Sequence, residues 1–246
     1  NLGQMYYEGQ GVPQGYKTAV KWWTLAAEQG VADGQFNLGF MYEHGQGVPQ
    51  DNKTAVKWYR RAAEQGYAKS QYNLGQMYYE GQGVPQNHKT AVKWYRRAAE
   101  QGLAPAQHNL GVMYANGEGV SRDLSEAYAW FMIALALSHD DAKRSIDKLI
   151  GTMTADQIDR GRKLAKRYCA KEIIPACSAV LDRHMKQAED TPRAVKEESQ
   201  PETAEREGGS DRSVAGRLRE LKDLYTEGLI SKDDYDEKKQ QILDAF

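Results

Sequence analysis

One phrase recurs along the first half of this chain. "LGQMYYEGQGVPQ" begins at Leu2 and returns unchanged at Leu74, with the variants "LGFMYEHGQGVPQ" at Leu38 and "LGVMYANGEGVSR" at Leu110, so the interval is 36 residues. Such self-similarity predicts a stack of small units, because a unit of this size cannot bury its apolar face alone and must pack on its neighbours. The total length of 246 residues is therefore no guide to a single round core.

Each repeat predicts two helices joined by glycine-rich turns. In residues 32–67, the segment "ADGQFNLGFMYEHG" places Leu38 on an apolar helical face and ends at Gly45, which can cap a helix at positive φ. The second segment, "KTAVKWYRRAAEQ", follows Asp51, an N-cap residue type, and carries Trp58 among alanines on its predicted apolar face. One unit therefore reads as helix, turn, helix, turn.

Glycines inside the predicted first helices indicate close packing. Gly39, Gly75 and Gly111 share one register. Because Gly costs about 1 kcal/mol relative to Ala inside a helix, we expect these glycines where two helices approach closely. The stretch "AYAWFMIALAL" falls in the second-helix position of the last repeat, and we expect it to pack between that repeat and a terminal cap.

The end of the array has its own signals. "DDAKRSIDKLIG" occupies the first-helix register once more, and "MTADQIDRGRKLAKRYC" then predicts a new helix that covers the last apolar surface. Thr154 and Gln157 have the spacing of a capping box at the start of that helix, and Asp123 with Glu126 predicts a second capping box one repeat earlier.

The succession "NLG", "MY", "GxGV" and "AVKWYRRAAEQG" resembles the Sel1-like repeat, a relative of the tetratricopeptide repeat. The resemblance covers residues 1–150 and implies an all-α fold: a right-handed α/α superhelical solenoid of about four 36-residue repeats with a concave groove. It also implies a non-catalytic scaffold or adaptor of bacterial origin that binds a protein or peptide partner. Asn1 aligns with Asn37, so we expect the chain to begin inside a helix, with at least half a repeat upstream.

Three further segments follow the array. Residues 151–185 predict the capping helical region, and residues 186–213 predict a disordered acidic linker because they are rich in Glu and lack aromatic residues. Residues 214–246, with the core "EGLISKDDYDEKKQQIL", resemble the SHOCT domain, a short C-terminal helical hairpin. So small a hairpin buries too little surface to be stable alone. We therefore expect it to self-associate or to bind another protein; the alternative is a simple C-terminal cap on the same chain.

The two cysteines, Cys169 and Cys177, leave two alternatives open from the residues alone. A continuous helix would hold them too far apart for a disulfide, but Pro175 predicts that the helix ends before Cys177, so buried free thiols and one bridge both fit. Similar tails of periplasmic Sel1-like proteins end in such a pair, and this resemblance favours a Cys169–Cys177 disulfide and an exported protein. No second Cys pair or His has ligand spacing for zinc.

The sequence predicts neither an enzyme nor a cofactor or metal site. The glycines of "GQGV" follow helices and lack the Lys–Ser/Thr pair of a phosphate loop, and no zinc-protease or "GxSxG" motif is present. The five histidines share neither register nor ligand spacing and are expected at the surface: His44, His88, His108, His139 and His184.

Charge and hydropathy exclude two further classes of partner. The formal net charge is −1, and the excess of Lys and Arg between residues 142 and 185 is weaker than the basic stripe of nucleic-acid binders. No apolar run is long enough to span a membrane.

The rival function is a cell-envelope enzyme or binder acting on peptidoglycan or β-lactams. Cys-rich relatives linked to β-lactams, however, carry a Cys pair in every repeat, and this array carries none.

Candidate binding residues come from the first helix of each repeat. One asparagine column precedes the buried Leu in every unit: Asn1, Asn37, Asn73 and Asn109. Three residues further on, the same side varies most: Gln4, Phe40, Gln76 and Val112. In the related tetratricopeptide superhelix the first helices line the concave wall, so carboxamides here could pair with the backbone of an extended peptide. The alternative is that each Asn bonds a neighbouring helix and only holds the stack together.

Overall fold

The computed structural model describes residues 1–170, 177, 181, 221–222 and 232–244. The predicted linker at 186–213, His184 and most of the predicted C-terminal hairpin lie outside the described residues. The chain divides into two units, Asn1–Pro192 and Arg193–Phe246.

The described part of the chain is helical, without a strand, and the first unit is an α/α solenoid, which confirms the predicted fold class. The bounds in the first unit are α1 Leu2–Glu8, α2 Tyr16–Glu28, α3 Ala32–His44, α4 Asn52–Glu64, α5 Ala68–Glu80, α6 His88–Glu100, α7 Ala104–Asn116, α8 Leu124–Ala136, α9 Asp140–Ile150 and α10 Ala155–Ala170. We call α1, α3, α5 and α7 the first helices and α2, α4, α6 and α8 the second helices; each packs on the next in chain order.

The second unit contains one described helix longer than two residues, α11, Lys232–Asp244. It covers the second half of the sequence that resembles a hairpin. None of the described helices combines the length and the hydropathy that crossing a membrane would need.

The helix ends follow from their capping residues. The Asp51 side chain accepts hydrogen bonds from the backbone N–H groups of Lys53 and Thr54, at 2.9 and 3.2 Å, which satisfies two of the free donors at the start of α4. At the end of α3, Gly45 adopts φ 65°, in the left-handed region that favours glycine, and its N–H bonds to Met41 O.

The second glycine of each "GxG" turn fixes the step from one repeat to the next. Gly47 has φ 72° and lies directly against the start of α2: a Cβ atom there would be 2.6 Å from the carbonyl carbon of Tyr16. Gly83 and Gly119 meet the starts of α4 and α6 in the same way. Each turn therefore sits on the second helix of the preceding repeat, and only glycine fits.

Glycines inside the first helices make room for one aromatic ring each. A Cβ atom on Gly39 would lie 2.8 Å from Cδ1 of Tyr59, and Gly75 faces Tyr95 at the same distance. These contacts confirm the predicted close approach.

In the second repeat, the buried ring is not that of the repeated tryptophan, Trp58. Tyr59 is fully buried, whereas Trp58, which the sequence pattern placed on the apolar face, lies half-buried with the Arg61 guanidinium 4.8 Å from its ring. The next residue along the helix takes the core position because it faces the Gly39 notch directly.

The last second helix, α8, is covered on nearly every side. Eleven of its residues are buried, and Trp130 stacks on Tyr168 of α10 with ring centroids 4.8 Å apart. Gly161 of α10 lies against α8, where a Cβ atom would meet Ser125 O at 2.9 Å. The prediction that "AYAWFMIALAL" packs between the last repeat and a cap is confirmed. Ala142 and Ile146 of α9 are buried, as the first-helix register requires.

One capping-box prediction is confirmed and the other is wrong. Thr154 N–H donates to Gln157 Oε1 at 3.0 Å, and Gln157 N–H donates back to Thr154 Oγ1 at 3.2 Å. Asp123 caps α8, but the Glu126 carboxylate accepts from the Tyr168 hydroxyl at 3.0 Å instead of bonding the Asp123 N–H. The α10 helix brings Tyr168 to Glu126, and no local sequence rule describes that contact.

Candidate functional site

A cleft of about 190 Å³ opens between two successive first helices, α5 and α7. We call it the α5–α7 cleft. It contains three of the eight predicted binding residues: Gln76, Asn109 and Val112. The full lining is Gln76, Tyr79 and Glu80 from α5, Tyr95 from α6, and Asn109, Val112 and Met113 from α7.

Polar groups of the cleft are held by neighbouring side chains. Gln76 Nε2 donates to Glu80 Oε1 at 3.0 Å, and Asn109 is a side-chain hydrogen-bond partner of Tyr95. Burial raises the pKa of the Tyr95 hydroxyl, so this group stays protonated and able to donate. Tyr79 hydrogen-bonds with Glu118, which raises the pKa of Tyr79. The residues that line the cleft include no Lys, Arg or His.

The equivalent junction one repeat earlier is filled by an aromatic side chain. Phe40 stands where Gln76 stands in α5; its ring packs against the core around Tyr59 and stacks on His44, with ring centroids 4.1 Å apart. Phe40 also contacts Tyr7 edge-on, at 6.4 Å between centroids. The shorter Gln76 side chain therefore explains the open space beside α7.

The asparagine column is engaged in hydrogen bonds within the chain. Asn1 Nδ2 donates to Asp33 Oδ2 of the next first helix at 3.1 Å, and Asn37 Nδ2 donates to Asp33 O at 2.9 Å. Asn73 is a side-chain partner of Tyr59 on α4. These contacts support the alternative that the column holds the stack together, and its role in binding stays a prediction. Gln4, the remaining predicted residue, donates to Glu8 on α1.

Three glutamines that the sequence analysis did not single out form a buried ladder. Gln35, Gln71 and Gln107 are almost fully buried, and each donates from Nε2 to a carbonyl oxygen in the last turn of the preceding second helix: Ala27, Ala63 and Ala99, at 3.0–3.1 Å. Gln65 and Gln101 extend the ladder by donating to Gln35 Oε1 and Gln71 Oε1, both at 2.7 Å. The spacing of 36 residues between Gln35, Gln71 and Gln107 is the sequence signal that could have identified them.

In the structure Cys169 and Cys177 are joined by a disulfide with Cα atoms 5.5 Å apart, and both residues are buried. Formation of this bridge in solution stays a prediction.

Three histidines depart from the expectation of surface residues: His88, His108 and His139 are half-buried. The Nε2 atom of His108 is 2.9 Å from Ser145 Oγ on α9, and its ring contacts His139 at 5.0 Å between centroids. Burial lowers the pKa of His108, with His139 as a second cause. Within the described residues, no group of three or more His, Cys, Asp or Glu side chains has the geometry to hold a metal ion.

The repeated helix pairs, the glycine contacts between them and the buried ladder define a helical-repeat protein of the α/α solenoid class. The family model described as Sel1 repeat matches residues 1–31, 32–67, 68–103 and 104–139, and the model described as short C-terminal domain, SHOCT, matches residues 217–243. The chain belongs to the Sel1-repeat family.

Two solved structures show the same fold. A Sel1 repeat protein from Oxalobacter formigenes is 36% identical, with a TM-score of 0.59 and 68% of each chain covered. The protective antigen c5321 of uropathogenic Escherichia coli, which displays the SLR fold, is 26% identical with a TM-score of 0.50; the match covers 85% of this chain and 49% of that one, about half its length. No curated protein matches the chain. The Sel1-repeat fold commonly serves as a protein-interaction scaffold and is generally non-catalytic.

Proposed function

We propose that the first unit is a non-catalytic scaffold or adaptor that binds an extended peptide segment of a partner protein across its first helices. The observation that carries this proposal is the α5–α7 cleft, which is lined from two successive repeats by Gln76, Asn109 and Val112. A partner that lies across α5 and α7 contacts both repeats at once. This arrangement suits a chain that runs along the array.

The chemistry of the cleft suits one side chain of a peptide and its backbone. Its volume of about 190 Å³ is smaller than the roughly 300–1,000 Å³ of a pocket that holds a whole small molecule. Val112 and Met113 offer an apolar wall. The carboxamides of Gln76 and Asn109 can each donate to a peptide carbonyl and accept from a peptide N–H.

The proposal is tested with the full chain and a displayed library of random peptides. Gln76→Phe introduces the residue that the equivalent position of α3 already carries, so it should fill the cleft without unfolding the helix. Gln10→Phe is the control, since it makes the same change at an exposed turn position outside the predicted binding residues. We expect the wild type and Gln10→Phe to retain shared peptides, which are then resynthesised for binding by fluorescence anisotropy.

Gln76→Phe should lose at least tenfold in affinity for those peptides while its melting temperature stays close to that of the wild type. The proposal fails if the wild-type chain selects no peptide above background. It also fails if Gln76→Phe binds the selected peptides as tightly as the wild type does, because the bound peptide then does not use this cleft.

A further inference from the structure

The α5–α7 cleft combines an apolar wall with a carboxylate at its edge. Glu80 is exposed and lines the cleft beside Val112 and Met113. Its only described hydrogen bond there comes from the neutral amide of Gln76. The lining supplies no cation to neutralise it, so the negative charge faces whatever enters.

A second carboxylate, in the turn after α7, contacts Tyr79 of the cleft but does not line the cleft itself. Glu118 hydrogen-bonds with Tyr79, and its Oε1 accepts from Asn116 at 3.2 Å. Its Oε2 atom is buried and has no hydrogen-bond partner in the structure. Glu118 therefore adds negative charge near the cleft, but its buried Oε2 atom is not available to a ligand there.

The shape of the cleft favours one class of side chain. Lys and Arg carry an apolar stem that packs on aliphatic and aromatic surfaces, and a charged end that stays at a polar edge. Tyr79 and Tyr95 add aromatic side chains to the lining of the same cleft. A Glu or Asp side chain would meet Glu80 with the same charge, and an aliphatic side chain would leave the carboxylate without a counter-charge.

We infer that the α5–α7 cleft is a subsite for a Lys or Arg side chain of the bound peptide, with Glu80 as its counter-charge. This inference rests on the proposed function and adds the chemistry of the partner to it. The assignment is specific to one junction, because His44 and Asn116 stand at the Glu80 position of α3 and α7. Glu8 holds that position in α1, but Phe40 contacts Tyr7 beside it.

The test compares peptide selection by the full-length wild type with selection by Glu80→Gln and Glu8→Gln. Both variants lose one exposed carboxylate in the same register and keep a hydrogen-bonding amide, so Glu8→Gln is the matched control. Peptides selected by the wild type should share a Lys or Arg at one position, and Glu8→Gln should select the same pattern. Glu80→Gln should select peptides without that basic position.

Resynthesised peptides give the size of the effect. Replacing the shared Lys or Arg with norleucine should weaken binding to the wild type about three- to tenfold, between the values for exposed ion pairs and for charge-assisted hydrogen bonds. The same replacement should change binding to Glu80→Gln less than twofold. Added salt should reduce the wild-type preference, because screening weakens exposed charges.

Three outcomes would overturn the inference. Selected peptides that share no basic position would refute the cation subsite and leave the scaffold function standing. A basic preference that survives in Glu80→Gln, or disappears equally in Glu8→Gln, would remove Glu80 from the subsite. Failure of the wild type to select any peptide would refute the proposed function and the subsite with it.

Discussion

Two buried glutamines in equivalent positions are expected to respond differently to the same substitution, Gln71→Leu and Gln107→Leu. Gln71 is bonded at both ends: its Nε2 donates to Ala63 O, and its Oε1 accepts from Gln101. Gln107 also donates to a backbone carbonyl, but its Oε1 is buried without a partner. Gln107 Oε1 lacks a partner because Leu137, which cannot donate a hydrogen bond from its side chain, occupies the position that Gln101 holds one repeat earlier.

The magnitudes follow from these contacts. Gln71→Leu removes two hydrogen bonds of about 1 kcal/mol each, so the free energy of unfolding should fall by about 2 kcal/mol. No buried group is stranded, since Ala63 O still accepts from Gly66 N–H at 3.0 Å and Gln101 is exposed. Gln107→Leu removes one such bond together with a buried unpaired acceptor that costs roughly 1–3 kcal/mol, so its net effect should be near zero or stabilising.

The assay is urea unfolding followed by far-UV circular dichroism, together with melting temperatures. Gln71→Leu should lower the melting temperature by about 4–8 °C, whereas Gln107→Leu should leave it unchanged or raise it by at most about 4–8 °C. The urea m-value must stay constant, because repeat arrays can unfold in parts. Equal destabilisation of the two variants would refute the reasoning, since the unpaired oxygen would then carry no cost.

Three further outcomes can be checked. Burial raises the pKa of the Glu126 carboxyl group above its ordinary value of 4.5, so the folded protein loses stability as the pH rises through this range. Glu126→Gln should therefore be more stable than the wild type at about pH 7 and gain no advantage at about pH 3, in urea titrations at both values. If the Cys169–Cys177 bridge forms, alkylation should add mass to both cysteines only after reduction. Reduction should also lower the free energy of unfolding by about 2.5 kcal/mol, for a loop of sequence separation 8, and should not change the stability of the Cys169→Ala, Cys177→Ala double variant. If the C-terminal unit self-associates, light scattering should give a mass per chain higher for the full chain than for a version that ends at Glu207; equal values would count against it.

The fold could be predicted because the repeat imposes it. The interval of 36 residues gives the unit, and glycines and N-cap residues such as Gly45 and Asp51 fix where each helix ends. These are local effects, and local sequence determines them. The close helix contact at Gly39 could also be predicted from the sequence, because glycine destabilises a helix interior and is expected there only where a side chain would clash with a neighbouring helix.

Contacts between helices that are far apart in the sequence could not be predicted in this way. Helical periodicity does not decide between Trp58 and Tyr59, because neighbours on a helix differ by only about 100°; the Gly39 notch on α3 decides. Glu126 likewise bonds Tyr168, 42 residues away, rather than its local capping partner. For the candidate site, the pattern identified Gln76 and Val112 as variable positions, but only the packing of Phe40 showed which junction is open.

The cover that α10 places on α8 makes the last repeat of this array evolutionarily different from the interior repeats. The helices α4 and α6 differ only in their first residue, and the turns that follow them meet the next first helix through the same backbone hydrogen-bond pattern. A duplicated segment inserted between α4 and α7 would therefore find matching surfaces on both sides. A unit added after α8 would find the surface of α8 already covered by α9 and α10. Unequal recombination can lengthen or shorten the interior of the array by whole units, while its last repeat is a fixed terminus.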